Sequence, residues 1–190
     1  MTAAAEQHRP GPGSRLAVRT AGRLPVLDTT RLQLRAPRIY DFDNYAAILC
    51  SDRAAFMGGS VSRADAWLNF TQYVAQWLLH GHGLWTIDAE TRPSAGFVLL
   101  GYQFDDPEAE LRIFLTDTSE GQGYALEAMT AARSHAFDEL GWSSVVSYVN
   151  KGNERARKLM QALNAKRDRA AEEALGGADV CVYRHRPEVA

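Results

Sequence analysis

Hydrophobic side chains recur at every second position in the segment 110–115, as Leu111, Ile113 and Leu115. This period predicts a β-strand, and the turn-forming residues 116–119 predict that it ends near Thr116. Beyond Gly121 and Gly123, apolar residues recur at helical spacing: Leu126, Met129, Ala132, Ala136, Phe137 and Leu140. The stretch therefore predicts a strand, a glycine turn and a long helix that ends at Gly141.

The same patterns predict strands at 30–35, 83–88, 96–102, 144–149 and 179–185, and helices at 41–49, 62–78 and 153–163. Asp41 and Ser62 stand where an N-cap side chain is expected, and Gly81 where a helix would end. Strands 83–88 and 96–102 predict a hairpin around residues 91–94, and 110–115 predicts a third antiparallel strand. The helix between strands 110–115 and 144–149 predicts a right-handed parallel crossover.

This order predicts an α/β (α+β) fold with a mixed, mostly antiparallel sheet and helices on both faces. The 190 residues, 46% of them hydrophobic, suit one domain, which we place at 26–190. Residues 1–25 are rich in Ala, Gly, Pro and Arg without a sustained apolar period, which predicts a flexible arm that could cover a partner subunit in a homodimer.

A formal charge of −2 gives no support to a nucleic-acid partner. No apolar run reaches membrane-spanning length and no signal-peptide pattern is present, so we expect a cytoplasmic protein without a membrane partner. Cys50 and Cys181 lie far apart, which favours structural thiols over a disulfide. His80 and His82 lack accompanying ligand residues, so no metal site is expected.

The predicted helix 62–78 has an apolar face with an aromatic stripe, formed by Ala66, Trp67, Phe70, Tyr73, Val74, Trp77 and Leu78. Such a stripe indicates packing against the core, and the alternative is a wall of a substrate cleft. The glycine turn before the next predicted helix has a clearer chemical meaning. The first amides of a helix have no internal acceptor and, together with the helix dipole, favour anions such as phosphate.

The turn Glu120-Gly-Gln-Gly-Tyr-Ala125 resembles the acyl-CoA signature of the GNAT acetyltransferase superfamily, Gln/Arg-x-x-Gly-x-Gly/Ala. Glu120 departs from it at the first position. With Leu126-Glu127-Ala128 the turn is similar to the branch that contains ribosomal-protein N-terminal acetyltransferases. The resemblance covers about 29–187 and implies the GNAT fold and acetyl-CoA as donor. It implies that pyrophosphate binds the amides of Gly121, Gln122, Gly123, Tyr124 and Ala125, and that Glu120 also belongs to the cofactor site.

The resemblance also implies a base on the strand 110–115. Glu110 holds that position, acting directly or through water, and an ion pair with Arg112 is the structural alternative. Glu108 is the second candidate. By position, the backbone amide that polarises the thioester carbonyl belongs to Ile113, Phe114 or Leu115.

A general acid is harder to assign. The family pattern has a hydroxyl side chain where this sequence has Ala156 and Met160, so an active enzyme would use Tyr148, water or no general acid at all. Asn153 matches an asparagine that binds the cofactor in the family, although a helix N-cap explains it equally. Arg155, Arg157 and Lys158 form a basic surface that is either a solvated face or a contact for the CoA 3′-phosphate, and Lys158 is the first candidate ligand.

These features predict an N-acetyltransferase that moves an acetyl group from acetyl-CoA to a primary amine by direct attack in a ternary complex. The amine is a peptide or protein N-terminus or a small molecule. The alternative is a non-catalytic acyl-CoA sensor, because Ala156 and Met160 cannot donate a proton. A protein-binding scaffold is the third hypothesis.

Overall fold

Eight strands form one mixed sheet in the computed structural model, which describes residues 3–176 and 179–187. Their spatial order is β1-β2-β3-β4-β5-β6-β8-β7, and only β5 and β6 are parallel. Their bounds are β1 Leu27–Asp28, β2 Leu32–Arg35, β3 Leu84–Ala89, β4 Arg92–Gly101, β5 Glu110–Leu115, β6 Val145–Asn150, β7 Lys166–Arg167 and β8 Val180–His185. The predicted meander and parallel crossover are confirmed.

The helices are α1 Pro12–Ala21, α2 Phe42–Leu49, α3 Arg63–His80, α4 Tyr124–Asp138, α5 Glu154–Ala162 and α6 Arg169–Ala174. The Ser62 hydroxyl accepts from the Asp65 amide and caps α3, which ends at a left-handed Gly81, as predicted. Two-residue strands and the six-residue α6 went unpredicted because they are too short to show a period.

Two apolar clusters lie on opposite faces of the sheet. One joins alternate residues of the central strands to α4 and α5, and the other joins the remaining residues to α2 and α3. In β4, Val98 and Leu100 belong to the first cluster and Phe97 and Leu99 to the second, so this strand is buried on both faces. The prediction of helices on both faces is confirmed.

Asp41 lies at the N-cap position of α2, as predicted, but its side chain makes no capping bond to that helix. Its carboxylate accepts from the backbone amide of Arg38 at 2.6 Å, from Thr86 Oγ1 at 2.9 Å and from the Arg35 guanidinium. Asp41 and Arg35 are both buried, and Arg35 also pairs with Asp88. The aspartate is therefore the centre of a buried polar network that ties β2, β3 and the turn before α2 together.

The segment expected to be a loose arm contains a helix, α1, with proline at its first position. None of the described residues up to Pro25 is buried, so the helix adds nothing to the core. Glu6 pairs with Arg63 at 2.7 Å, and the Pro25 carbonyl accepts from Trp85 Nε1 at 2.9 Å. The flexibility of the segment and its role in a homodimer remain predictions.

Three details of the predicted elements were wrong. The turn between β3 and β4 falls at residues 90–91, before the predicted 91–94, and Ser94 takes a positive φ of 52° beside a register shift. Leu78 is 73% exposed, because the buried face of α3 turns through Gln76 and Trp77. The buried stripe of α4 runs through Ala128, Met129, Ala132, His135 and Ala136 and leaves Leu126 outside.

Candidate active site

The two parallel strands diverge soon after they meet. β5 and β6 are paired at Glu110 and Val146, and the Val146 amide donates to the Ala109 carbonyl at 2.9 Å. One residue further on, Ser147 Oγ donates to the Leu111 carbonyl at 2.6 Å. No later pairing joins the two strands in the described part of the chain, so a gap opens toward their carboxyl ends.

The Leu111 carbonyl points toward β6, so the backbone groups of Ile113, two residues on, point the same way. The Phe114 carbonyl instead faces Gly96 on β4, where an added Cβ would lie 2.3 Å from it, and the Phe114 ring is in the core cluster shared with α2 and α3. Ile113 and Leu115 therefore present backbone groups to the gap, whereas Phe114 does not.

The glycine turn lies at the end of β5. A short 3-10 turn at Asp117–Ser119 precedes it, and Gly121 and Gly123 have positive φ angles of 71° and 79° that favour glycine. The Glu127 amide donates to the Gly123 carbonyl and is the first to take an acceptor along this helix, so those of Tyr124, Ala125 and Leu126 have none within it. The turn therefore combines exposed backbone donors with the positive end of a 15-residue helix.

Arg31 holds the turn from the strand β2 side. Its Nη1 donates to the Gln122 carbonyl at 2.8 Å, and its guanidinium lies over the Tyr124 ring and pairs with Glu127. Although burial opposes it, hydrogen bonds from Thr29 and Arg31 lower the pKa of Glu127, which stays ionised. Sequence reasoning missed the role of Arg31, because 96 residues separate it from Glu127 and no local pattern links them.

Glu120, the residue that departs from the family signature, makes two ion pairs. Its carboxylate contacts Arg53, from the 3-10 turn Asp52–Phe56, and Arg155, from the first turn of α5. Arg53 also donates to the Leu115 carbonyl at 3.3 Å. Glu120 thus links the end of β5 to the helix that follows β6.

Glu110 lies where β5 and β6 meet, with 1% of its side chain exposed. Arg112 binds it through Nε at 3.0 Å and Nη2 at 2.5 Å, so the ion pair offered as the structural alternative exists. Burial raises the pKa of Glu110 despite the opposing arginine, and the Tyr148 backbone amide also donates to this carboxylate. A carboxylate whose pKa is raised holds a proton more readily near neutral pH, which suits a general base.

Glu108 lies before β5, and Arg184 on β8 binds its carboxylate through two nitrogens at 2.5 and 2.8 Å. That pairing lowers the pKa of Glu108, which makes it a weaker base than Glu110. Tyr148 is half-buried, and its burial together with the nearby carboxylates raises its pKa to about 12. The phenol therefore keeps its proton at neutral pH.

Tyr148 and Glu108 also line a cavity of about 330 Å³ with Asp105, Pro107 and three apolar residues of the α6 region, Ala171, Ala174 and Leu175.

The α5 candidates divide by exposure. The Asn153 side chain caps the helix by accepting from the Ala156 amide at 3.0 Å, and Lys158 is exposed. Met160 is buried in the core cluster of α4, and Ala156 packs against that cluster. Neither can donate a proton. Asn153 is thus used structurally through Oδ1, while its amide nitrogen is not engaged in that bond.

Among the described residues, no group of three or more His, Cys, Asp or Glu side chains could hold a metal ion. His82 is buried, with Nδ1 3.0 Å from the Leu100 carbonyl. Both cysteines are free, Cys50 exposed and Cys181 buried. None of the helices in the described part of the chain is long and apolar enough to cross a bilayer.

The fold and this site define a GNAT acetyltransferase. Residues 31–166 match the acetyltransferase (GNAT) domain, and the chain belongs to that family. The chain is similar to an acetyltransferase from Agrobacterium tumefaciens strain C58, with a TM-score of 0.81, 32% identity, and coverage of 86% of this chain and 95% of that one.

Two more distant structures share the fold. An acetyltransferase from Salmonella typhimurium, described as modifying the N-terminal serine of ribosomal protein L7/L12, is 13% identical with a TM-score of 0.69, covering 86% of this chain and 100% of that one. A ribosomal L7/L12 α-N-protein acetyltransferase, RimL, solved with coenzyme A, is also 13% identical, with a TM-score of 0.65 and coverage of 85% and 98%.

Proposed function

We propose that this chain binds acetyl-CoA in the gap between β5 and β6 and transfers the acetyl group to a primary amine by direct attack in a ternary complex. The observation that carries the proposal is that one diverging strand pair brings together a glycine turn with free amides and a buried carboxylate, Glu110. The first can bind a diphosphate and the second can accept a proton.

The residues of the turn fit a diphosphate. Gly121 and Gly123 leave room for a ligand to approach the backbone, and at Gly121 an added Cβ would meet no atom within 4 Å. The amides of Gly121, Gln122, Gly123, Tyr124 and Ala125 would hold the phosphates, with Asn153 and Lys158 from α5 as further ligands. Bound there, acetyl-CoA supplies an activated acyl group.

Ile113 is our candidate for polarising the acyl carbonyl, since its backbone amide points into the gap; Leu115 is the second. A hydrogen bond aimed at the oxygen where charge develops stabilises the transition state of acyl transfer. Phe114 is not assigned a role here because its backbone faces β4.

Glu110 is our candidate base. With 1% of its side chain exposed, it would take the proton from the acceptor amine through an intervening water. Arg112 would then stabilise the charge of the carboxylate between turnovers. Tyr148, whose pKa of about 12 keeps it protonated, is the candidate donor of a proton to the departing thiolate. Glu108 is retained as the alternative base.

For the acceptor, we propose the amino group of a peptide or protein N-terminus, or a small amine. The cavity beside Tyr148 supports an entry for the acceptor because it is also lined by Glu108, two residues before the candidate base Glu110. The ribosomal-protein relatives support an N-terminal amine only as an analogy, since a shared fold hosts many acceptors.

Calorimetry with acetyl-CoA, followed by a thiol-release assay over a panel of peptides and small amines, tests the proposal. We expect saturable binding and turnover with at least one amine. Binding without turnover on any amine would favour the acyl-CoA sensor. Absence of saturable binding would overturn the donor assignment.

A further inference from the structure

Two arginines share one carboxylate at the open end of the gap. The Glu120 carboxylate forms ion pairs with Arg53, from the segment after α2, and with Arg155, from the first turn of α5. Arg53 is 29%, Arg155 61% and Glu120 33% exposed in its side chain, so water and ligands can reach all three. A ligand between β5 and β6 would pass beside this cluster, because Glu120 directly precedes the glycine turn.

Arg53 and Arg155 together resemble an anion-binding site, and the Glu120 carboxylate occupies the position of the anion. Arginine binds carboxylates and phosphates with the same planar donor geometry. In addition, Arg53 Nε is buried and has no hydrogen-bond partner among the described residues, although guanidinium donors are normally satisfied. A further acceptor beside Arg53 would complete its hydrogen bonds.

From this geometry, and resting on the proposed donor, we infer that Arg53 and Arg155 are ligands of the diphosphate group of coenzyme A, and that Glu120 occupies their anion position when the donor is absent. Glu120 is then an internal competitor. Arg53 and Arg155 must break their ion pairs with Glu120 to bind the phosphates, and the negative charge of Glu120 repels the phosphates. The residue that departs from the family signature thus lowers affinity for the donor and for the coenzyme A product.

A purely structural role for Glu120 predicts the opposite. If the two ion pairs only hold the glycine turn in place, their removal should loosen the turn and weaken every ligand that contacts it. The charge and the shape of the side chain can be separated by Glu120→Gln, which keeps the length and a hydrogen-bonding carbonyl oxygen.

The experiment measures binding by calorimetry at fixed ionic strength for coenzyme A and for pantetheine, which lacks the diphosphate. We expect Glu120→Gln to bind coenzyme A about tenfold more tightly, the scale of a charge-assisted hydrogen bond, and pantetheine unchanged. Arg53→Gln and Arg155→Gln should each weaken coenzyme A about tenfold and also leave pantetheine unchanged. The control Glu173→Gln removes one exposed carboxylate on α6 and should change neither ligand.

The outcomes separate the two proposals. If the wild type binds coenzyme A but Glu120→Gln binds it equally or more weakly, the internal competitor is overturned and the proposed function stands. If the arginine variants retain wild-type affinity, the arginines are not diphosphate ligands. If the wild type binds no coenzyme A, the proposed function fails and this inference with it.

Discussion

Glu110 forms an ion pair with Arg112 and also lies at the start of the gap between β5 and β6. If it is the base, Glu110→Gln should lower turnover by roughly 10² to 10⁴ with little change in acetyl-CoA affinity. The acidic limb of the wild-type pH-rate profile reports protonation of the base, and burial places it above the usual glutamate range. That limb should vanish in the variant. Steady-state rates across pH provide the test.

Glu108→Gln is the matched control, since it removes a carboxylate from the same approach to β5. It should leave turnover within a few-fold of wild type, because Glu108 is held by Arg184 and its pKa is lowered. The opposite pattern, with near-normal rates in Glu110→Gln and a large loss in Glu108→Gln, would transfer the base to Glu108.

His185 gives a prediction about acid stability. Burial lowers its pKa to about 4, and Nε2 lies 3.1 Å from Ser147 Oγ. Ser147 gives its one proton to the Leu111 carbonyl, so its oxygen accepts from His185 Nε2, and the lowered pKa keeps the ring neutral near pH 7.

An unfolded histidine gains its proton near pH 6.5, before the folded one does. Stability is therefore lost as pH falls from about 6.5 to about 4, by an amount on the order of 3 kcal/mol. In denaturant titrations, His185→Asn should be less stable at neutral pH and lose less stability across this window. His80→Gln, at an exposed histidine, should retain the wild-type slope, and an unchanged slope in His185→Asn would contradict the assignment.

At the scale of elements, the backbone conformation of the glycine turn determines whether acetyl-CoA can bind to its amides. Gly123 has a φ of 79°, and an added Cβ would lie 3.2 Å from Arg31 Nη2. Gly123→Val should therefore strain the turn by about 1 to 3 kcal/mol, displace Arg31 and weaken acetyl-CoA binding, while the fold is retained by circular dichroism. Calorimetry supplies the binding measurement.

Gly176→Ala controls for the strain alone. Gly176 has a φ of 71°, an added Cβ would meet nothing within 4 Å, and it follows α6, away from the turn. It should cost comparable stability and leave acetyl-CoA binding unchanged. If Gly123→Val binds acetyl-CoA with wild-type affinity, the turn only connects β5 to α4 and does not bind the donor.

The central strand, glycine turn and helix could be predicted because each has its own period and the turn its own residue types. The bounds of β5 were correct to the residue. The N-cap position of Asp41 was correct, but the expected capping bond was wrong. The rule for helix caps is local, whereas the partners of this carboxylate, Thr86 and Arg35, come from strands β3 and β2. The pairing of Glu120 with Arg53 spans 67 residues, and no sequence pattern encodes that contact.

At the scale of the whole molecule, the N-terminal segment is attached without being part of the core. Deletion of residues 1–22 removes α1 and the ion pair between Glu6, whose side chain is 6% exposed, and Arg63, whose side chain is 41% exposed. We expect a shift in Tm of only a few degrees and unchanged acetyl-CoA binding.

Deletion of residues 1–28 makes the contrast. It also removes strand β1 and the Pro25 carbonyl that accepts from the buried Trp85, so the loss in Tm should be clearly larger. Thermal unfolding of both deletions decides the matter. Equal losses would mean that α1 contributes more to the folded state than its exposure indicates.

The divergence of strands β5 and β6 also affects how cooperatively the sheet unfolds. Six residue pairs join β4 to β5 and six join β6 to β8, whereas one joins β5 to β6 within the described residues. Backbone pairing between the two halves of the sheet is thus confined to one residue pair, with the Ser147 and Glu110 side-chain bonds beside it. We therefore expect β6, β7 and β8 to open as a unit of lower local stability. Acetyl-CoA bound between β5 and β6 would connect the two halves of the sheet. Amide hydrogen exchange in β6 and β8 should therefore slow on binding, including at residues that contact no phosphate.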